Sequence, residues 1–299
     1  NLVLTNGYYN DQGGGAIYSF NQPLTVTHCD FITNNVSGSG RGGAIEAHAN
    51  NTLIKHCYFE DNHSLESHGG ALGLWGGIVD SCEFFSNSAS DNGGAIHIGG
   101  NVIVQRSVFA GNSAISKGGA IYAGLTGATI LNNTIYNNQA AYGGGIATYN
   151  SSAHIKNSIL WQNSAANSGT QYYHTGTPSP DYSYCDIEGS ASGEGNIDGD
   201  PLFLDVNLMH LYLTQGSPCI DAGDPDLDED GFDYDVDIDD QDYNGTRMDI
   251  GAFSYMGPDT IGPTVSIATP NGGESYGTGN TATFEWAADD NISIEKQIL

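Results

Sequence analysis

Two tetrapeptides recur in phase along the first half of this chain, and they constrain its fold more than any other feature. Gly-Gly-Ala-Ile or a close variant stands at residues 14–17, 42–45, 69–72, 93–96, 118–121 and 143–146. Phe-x-x-Asn follows each time, at 31–34, 59–62, 84–87 and 109–112, with Ile135 or Leu160 replacing Phe at 135–138 and 160–163. The period of 24 to 28 residues predicts a solenoid with one structural unit per repeat.

Each repeat contains three short apolar clusters separated by Gly, Asn and Ser. In the fifth repeat they lie at 120–123, 129–131 and 134–136 and are rich in β-branched and aromatic residues. Such clusters are typical of strands, and none shows the apolar spacing of a helix. Three short strands per repeat predict one coil of a parallel β-helix, with successive coils roughly 4.8 Å apart.

Stacked coils turn each repeat position into a column, and four apolar columns are expected to point inward. They are positions 17, 45, 72, 96, 121 and 146; 19, 47, 74, 98, 123 and 148; 26, 54, 79, 104, 130 and 155; and 31, 59, 84, 109, 135 and 160. The glycines before each Ile indicate a turn that needs φ > 0 or a close backbone approach. The Asn column at 34, 62, 87, 112, 138 and 163 is interpreted as left-handed turn residues whose amides bond to neighbouring coils.

The paired tetrapeptides resemble the repeats of the polymorphic outer membrane protein family, which are bacterial surface β-helix proteins. The resemblance covers about half of the chain and implies a right-handed parallel β-helix with an adhesin-like role at the surface. Farther along, Ser217-Pro-Cys-Ile-Asp-Ala-Gly223 and Asp249-Ile-Gly-Ala-Phe253 resemble the C-terminal closing region of many secreted bacterial β-helix proteins. In those proteins this region ends the helix, and a solenoid needs a cap for its last coil.

The sequence therefore predicts an all-β chain with a parallel β-helix over residues 1–255. Regular coils are expected over 13–165, an insertion loop over 167–183, and irregular closing coils with an acidic loop over 184–255. Residues 256–263 are interpreted as a linker and 264–299 as the truncated start of an Ig-like β-sandwich, so we expect the sequence to be part of a longer multidomain chain.

Charge limits the partners that this chain can have. Seven Lys and Arg face 35 Asp and Glu, which gives a net charge of −28. Such a chain repels nucleic acid, anionic membrane surfaces and polyanionic polysaccharides unless cations intervene. No apolar run is long enough to insert into a membrane. The low Lys content and the abundance of Asn, Gly, Ser and Thr favour a secreted or cell-surface bacterial protein.

The five cysteines fall into two groups. Cys29, Cys57 and Cys82 share one repeat position and are expected to be buried, stacked thiols. Cys185 and Cys219 lie outside the predicted coils, and the sequence leaves open whether they pair.

An acidic stretch carries the strongest local motif. Asp226, Asp228 and Asp230 are followed by Gly231, Phe232 and Asp237, which is the spacing of an EF-hand-type calcium loop with Asp in place of the final Glu. Because no helices flank it, a dockerin or thrombospondin type of loop is the better comparison. We expect this loop to bind calcium in a structural role; the alternatives are a solvated acidic loop and a general adaptation to salt.

The outward face of the Gly-Gly-Ala-Ile strand is a second candidate site. Alternation along the strand sends outward Tyr18, Phe20, Glu46, His48, Trp75, His97, Tyr122 and Tyr149, interleaved with glycines. Aromatic rings along one face can stack on sugars, or can simply stabilise the sheet by cross-strand contact. Glu46 and His48 are expected roughly 7 Å apart, and His97 roughly 10 Å away, which is loose for a metal site or a proton relay.

Three functions remain after these observations. The first is a non-enzymatic, adhesin-like β-helix that presents an elongated face to a glycan or cell-surface ligand. The second is a structural spacer of a larger surface protein. The third is a polysaccharide lyase or glycoside hydrolase, against which the regularity of the coils argues because an active site breaks a pattern locally.

Overall fold

The computed structural model describes residues 2–189, 192–227 and 247–255, together with the backbone of strands Thr264–Thr269 and Glu285–Asp289. The chain divides into two compact units, Asn1–Tyr255 and Met256–Leu299. The first unit is the predicted right-handed parallel β-solenoid, with about seven turns spaced by about 26 residues. Within the described residues, no helix has the length and apolar character needed to cross a membrane.

Three parallel sheets run along the solenoid. Sheet A has eight strands: Leu2–Thr5, Cys29–Ile32, Tyr58–Glu60, Glu83–Phe85, Val108–Ala110, Thr134–Tyr136, Ile159–Trp161 and Asp186–Ile187. Sheet B has seven: Tyr8–Asn10, Asn35–Ser37, His63–Ser64, Ser88–Ala89, Ser113–Ala114, Gln139–Tyr142 and Ser164–Ser168. Sheet C has twelve: Ile17–Ser19, Thr25–Thr27, Ile45–Ala47, Leu53–Lys55, Leu72–Asp80, Ile96–Gln105, Ile121–Gly124, Thr129–Leu131, Ile146–Tyr149, His154–Lys156, Tyr172–Thr175 and Asp181–Ser183.

The four inward columns are confirmed. Ile45 pairs with Leu72 and Leu72 with Ile96 in register, and the other three columns align in the same way. The phenylalanine column forms a continuous stack: the ring centroids of Phe84 and Phe109 lie 4.7 Å apart with parallel planes. Burial of these side chains in every coil supplies the long, thin core of the solenoid.

The asparagine column is structural, as predicted, but its backbone interpretation was wrong. Each amide nitrogen donates to a carbonyl of the previous coil and to a side-chain oxygen of the next one. Asn87 donates in this way to Asn112 at 3.0 Å, and at the end of the column Asn163 donates to Gln171. The left-handed residue is the one before the Asn: Ser86, for example, has φ +55°. That residue turns the chain, and the turn points the following Asn inward, where its amide needs a hydrogen-bond partner because it is buried.

The two glycines of each motif fulfil different requirements. From the second motif onward the first glycine lies in the left-handed region, as Gly93 does at φ +73°. The second passes directly under the backbone of the adjacent coil: a Cβ on Gly94 would collide with the carbonyl oxygen of Gly119 and with the backbone of Ser113. Both of the predicted reasons for glycine therefore apply, one to each position.

The predicted insertion loop at 167–183 is instead a seventh coil. Tyr172 pairs with Ile146 in the first inward column, and Tyr182 pairs with Ile155 in the third. Gly169, at φ +73°, takes the place of the first glycine. The sequence hid this coil because tyrosines replace the aliphatic residues of the motif while the hydrogen-bonding pattern is unchanged.

Cysteine 185 belongs to the repeats as well. It continues the column of Cys29, Cys57 and Cys82, and its thiol donates to the carbonyl oxygen two residues earlier, as the thiols of Cys57 and Cys82 do. Cys219 lies elsewhere and its thiol donates to Asp186 Oδ2 at 3.1 Å. All five cysteines are free thiols, so Cys185 and Cys219 do not pair in this structure.

The region after residue 187 does not form the predicted closing coils. Residues 194–197 lie along the edge of the last sheet A strand, where Ile187 N donates to Ile197 O at 2.9 Å. The chain then forms an antiparallel hairpin, Phe203–Asp205 and His210–Leu213, joined by the 3₁₀ helix Val206–Leu208. The hairpin packs on the outer surface of sheet A. There it buries an apolar patch formed by Val108, Ala110 and Tyr136.

The two motifs of the closing region contact each other on this lateral surface. Ile250 N donates to Cys219 O at 2.9 Å, and the Asp249 carboxylate accepts the N–H groups of Asp221 and Tyr255. Ala252 N donates to Thr134 Oγ1, which connects the motif to a coil more than a hundred residues earlier.

The second unit contains an antiparallel pair of strands, Thr264–Thr269 and Glu285–Asp289, with Val265 opposite Ala288. This pair is compatible with the predicted Ig-like sandwich, which stays a prediction. The predicted linker at 256–263 lies outside the described residues.

Candidate functional site

Three neighbouring columns on the outside of sheet C form a continuous strip, which we call the track. Its floor is the position after each motif Ile: Tyr18, Glu46, Gly73, His97, Tyr122, Ala147 and Tyr173. One rim is the position two residues farther along: Phe20, His48, Trp75, Gly99, Gly124, Tyr149 and Thr175. The other rim is the position before each first glycine: Gly13, Arg41, His68, Asn92, Lys117, Tyr142 and Ser168.

The structure exposes only part of the predicted outward face. Phe20 is 57 % exposed, and Tyr18 and Tyr149 are exposed to a lesser degree, whereas His48, Trp75 and Tyr122 are half-buried. For two of the predicted outward residues the expected exposure to solvent is wrong, because Glu46 and His97 are buried. They do point away from the core, but neighbouring residues of the two rims contact them: Arg41 and His48 at Glu46, and His68 at His97.

Arg41 and His68 contact the floor from the second rim. Arg41 N donates to Glu46 Oε2 at 2.9 Å, and the side chain of Arg41 fills the space beside Gly73. The His68 ring stacks on the ring of His97 with 4.7 Å between centroids. The floor is therefore accessible mainly where a rim residue is small.

Glu46 and His48 are in direct contact, which corrects the expected separation. Glu46 Oε1 lies 2.8 Å from His48 Nε2, because both side chains bend toward each other over the strand. The His48 ring then stacks on Trp75 at 4.0 Å between centroids, with 14° between the planes. The edge of Phe20 meets His48 from the previous coil at 5.1 Å.

Glycines allow the large rings to lie flat on the track. A Cβ on Gly99 would lie 2.9 Å from Trp75 Nε1, and a Cβ on Gly124 would lie 2.9 Å from Tyr122 Cε1. Any side chain at these two positions would push the rings outward. The predicted interleaving of aromatic residues with glycine thus has a steric reason.

Burial disfavours the charged form of two histidines of the track, His68 and His97. Burial is the main cause that lowers the pKa of His97, to about 3, and the neighbouring His68 and Arg41 lower it further. Burial also lowers the pKa of His68, against the opposing effect of Asp91, whose Oδ2 lies 3.4 Å from His68 Nδ1. His97 Nδ1 is buried without a hydrogen-bond partner among the described residues.

Two cations of the track were not among the predicted site residues. The guanidinium of Arg41 lies 5.1 Å from the centre of the Trp75 ring, and Lys117 Nζ lies 5.9 Å from that of Tyr149. Both are cation–π contacts. The signal that could have identified them is their shared place in the repeat, immediately before the two glycines.

The cations outside the track have other partners. Lys55 Nζ lies 3.0 Å from Asp80 Oδ2, and Arg106 Nη2 lies 2.8 Å from Asp80 Oδ1. Burial alone would raise the pKa of Asp80, but the hydrogen bond from Lys55 and the charge of Arg106 hold it below its ordinary value. Lys156 Nζ lies 2.8 Å from Asp224 Oδ2.

Comparison with protein families identifies the repeated coils as those of a known fold family. A family model described as the right handed beta helix region matches residues 1–192, which is more than half of the chain. The chain belongs to this family. Comparisons with curated proteins and with solved structures gave no match.

Only the first residue of the predicted calcium site, Asp226, lies within the described part of this β-helix protein. Asp226 lies beside a groove of 790 Å³ whose lining includes Asp181, Glu194 and Asp224, and its N–H donates to Asp224 Oδ1. Asp228, Asp230, Phe232 and Asp237 lie outside the described residues. Among the residues with described positions, no group of three or more His, Cys, Asp or Glu side chains is arranged to hold a metal.

Proposed function

We propose that this protein is a non-enzymatic, adhesin-like β-helix whose track binds a glycan or a glycan-bearing surface. Proteins bind sugars by stacking the apolar faces of the rings on aromatic side chains, with polar groups beside them for the hydroxyls. The track offers both kinds of group along several consecutive coils. A long binding face of this kind suits a chain polymer better than a small ligand.

One observation carries the proposal. Large aromatic side chains stand exposed at the rim, and Phe20 at 57 % and Tyr149 at 40 % are the most open. Leaving such rings in water is unfavourable, and the coil could accept a polar residue at either position, since neither belongs to an inward column. The alternation of rings with glycines keeps the strip low enough for a polymer to lie on it.

Binding to a glycan array tests this proposal. Phe20→Ala and Trp75→Ala should each weaken binding by roughly tenfold, in line with the loss of about 1–2 kcal/mol for an aromatic contact. Leu125→Ala is the matched control, because Leu125 is 72 % exposed but does not belong to the track. Equal binding by all variants and the native protein would remove the track as the binding face.

An enzyme is the second candidate function, and one contact favours it. His48 and Glu46 form a hydrogen-bonded acid–base pair beside Trp75, which is a group that a polysaccharide lyase or glycoside hydrolase could use. The test is prolonged incubation with the polysaccharides that bind best, followed by analysis of chain length. Shortened chains with the native protein but not with Glu46→Gln would establish catalysis.

The proposal also includes a cellular location, secreted or at the cell surface, and calcium as a structural cofactor. The resemblance to the polymorphic outer membrane proteins and the composition support a secreted or cell-surface location in a bacterium. Calcium bound by Asp226, Asp228, Asp230, Phe232 and Asp237 would have a structural role in the acidic loop. If no glycan binds, the remaining role is that of a spacer in a longer surface protein.

A further inference from the structure

We infer that the ligand of the track is an acidic glycan, one whose sugars carry carboxylate or sulfate groups, and that Arg41 and Lys117 bind these groups. The inference rests on the proposed glycan-binding function and adds the chemical class of the ligand. It starts from a difference between the basic side chains: most of them have an acceptor inside the protein, and two of them lie over aromatic rings instead.

Most described cations have a strong acceptor inside the protein. Lys55 and Arg106 share Asp80, and Lys156 pairs with Asp224. Arg247 donates to the backbone carbonyls of Gly223 and Ala222. In a chain with 35 acidic residues and seven basic ones, a carboxylate partner is easy to provide.

Arg41 and Lys117 differ from these four. Within the part of the chain that the structure describes, neither side chain makes an ion pair, and each lies over an aromatic ring. An aromatic ring holds a cation in place without neutralising it, so the N–H donors remain able to bind an anion. The planar guanidinium of Arg41 is well suited to a carboxylate or sulfate, which it can hold by two parallel hydrogen bonds.

The positions of the two cations match a repeating polymer. They occupy the same column of the repeat, three coils apart, which corresponds to roughly 14 Å along the solenoid. The rim positions between them are His68 and Asn92, and the pKa of His68 is lowered by burial. Two positive charges on one rim, with no further cation between them among the described residues, fit a glycan in which acidic groups recur at intervals of a few sugars.

Two carboxylates lie near these cations, and among the described residues neither forms an ion pair with Arg41 or Lys117. Glu46 is buried and is occupied by the N–H of Arg41 and by His48. Asp91 lies beside His68, on the coil between the two cations. Salt screens the effect of charges that lie farther away than about 8 Å at physiological ionic strength.

An array that carries neutral, uronate-containing, sialylated and sulfated glycans tests the inference. We expect binding to the acidic glycans and weaker binding as the salt concentration rises. Arg41→Gln should weaken the binding of the acidic glycans by about tenfold or more, and Lys117→Gln by a smaller factor. In each case a charge-assisted hydrogen bond is lost. Arg106→Gln is the control, since Arg106 is a cation that lies off the track.

The outcomes separate this inference from the function on which it rests. Binding to neutral glycans with equal strength, unaffected by Arg41→Gln, would overturn the acidic ligand and keep the glycan-binding track. Failure to bind any glycan would overturn both. A loss on acidic glycans caused equally by Arg106→Gln would show that overall charge, and not the track, attracts the ligand.

Discussion

Asn112 and Asp249 are both buried polar side chains, yet they are stabilised in different ways. Asn112 belongs to a column in which each amide donates to a side-chain oxygen of the next coil and to a carbonyl of the previous coil. Asp249 accepts the N–H groups of Asp221 and Tyr255, an arrangement that occurs once in the described residues. The first belongs to the coils, 2–187, and the second to the closing segment, 192–255.

This difference explains which parts of the structure could be read from the sequence. A contact between equivalent positions of adjacent coils appears in the sequence as a repeated residue, so four copies of Phe-x-x-Asn and two variants of it were enough to predict the core. A contact between Ala252 and Thr134 leaves no repetition, because it joins positions 118 residues apart only once. The contacts of the coils repeat from one coil to the next, whereas those of the closing segment are each made once.

A substitution in the asparagine column should have the largest effect on stability. Asn87→Ala removes the amide that donates to Phe59 O and Asn112 Oδ1 and the oxygen that accepts from Asn62. Several buried polar groups lose a partner, so we expect the free energy of unfolding to fall by roughly 3–5 kcal/mol. Urea denaturation measures this, with the exposed Asn51→Ala as control; similar losses for both variants would contradict a special role for the column.

A substitution at the second motif glycine sharpens the same point about repetition. Gly94→Ala should destabilise the protein by about 3 kcal/mol, because the added methyl group collides with the backbone of the next coil. Gly127→Ala is the control, since a Cβ there meets only side-chain atoms at 3.5 Å or more. The difference in melting temperature between the two variants is the relevant measurement, and equal values would refute the steric explanation.

Sequence reasoning missed the lateral position of the closing segment, although a signal was present. The two outward positions of sheet A include one carboxylate in each early coil, namely Asp30, Glu60 and Glu83. In the later coils they carry no charged residue, as at Val108 and Ala110 or at Ile159 and Trp161. This change from charged to apolar marks the surface on which the hairpin packs. It was overlooked because the motif itself, which faces inward, does not change.

The track illustrates the same limit at the candidate site. Alternation along the strand correctly identified Phe20, Trp75 and Tyr149 as outward residues. It could not place Arg41 or His68, because these belong to the turn before the motif, and a strand pattern says nothing about how a turn folds back. For the same reason it gave a separation for Glu46 and His48 that ignored side-chain direction.

The junction between the two regions should respond to pH. Burial raises the pKa of Asp186 to about 6, despite the hydrogen bonds from Gly199 and Cys219 that favour its charged form. Because the folded state binds this proton more tightly than the unfolded chain, the resulting stability is present below about pH 4 and is lost as the pH rises through about 6.

Asp186→Asn tests that dependence directly. The variant lacks this titration, so its unfolding free energy relative to the native protein should increase by about 2–3 kcal/mol between pH 4 and pH 7. Subtracting the two pH profiles removes the contribution of the other carboxylates. A difference that stays constant over this range would show that Asp186 does not titrate there.

Chelation of calcium should give the smallest effect and should act on the closing segment alone. If Asp226, Asp228 and Asp230 bind the ion in the folded state only, calcium at ten times its dissociation constant contributes about 1.4 kcal/mol, which EDTA would remove. We expect a lower melting temperature in EDTA, restored by added calcium, and no response in Asp228→Asn. An identical melting curve with and without EDTA would leave the acidic loop without a metal, and the closing segment would then depend on contacts such as those of Asp249 alone.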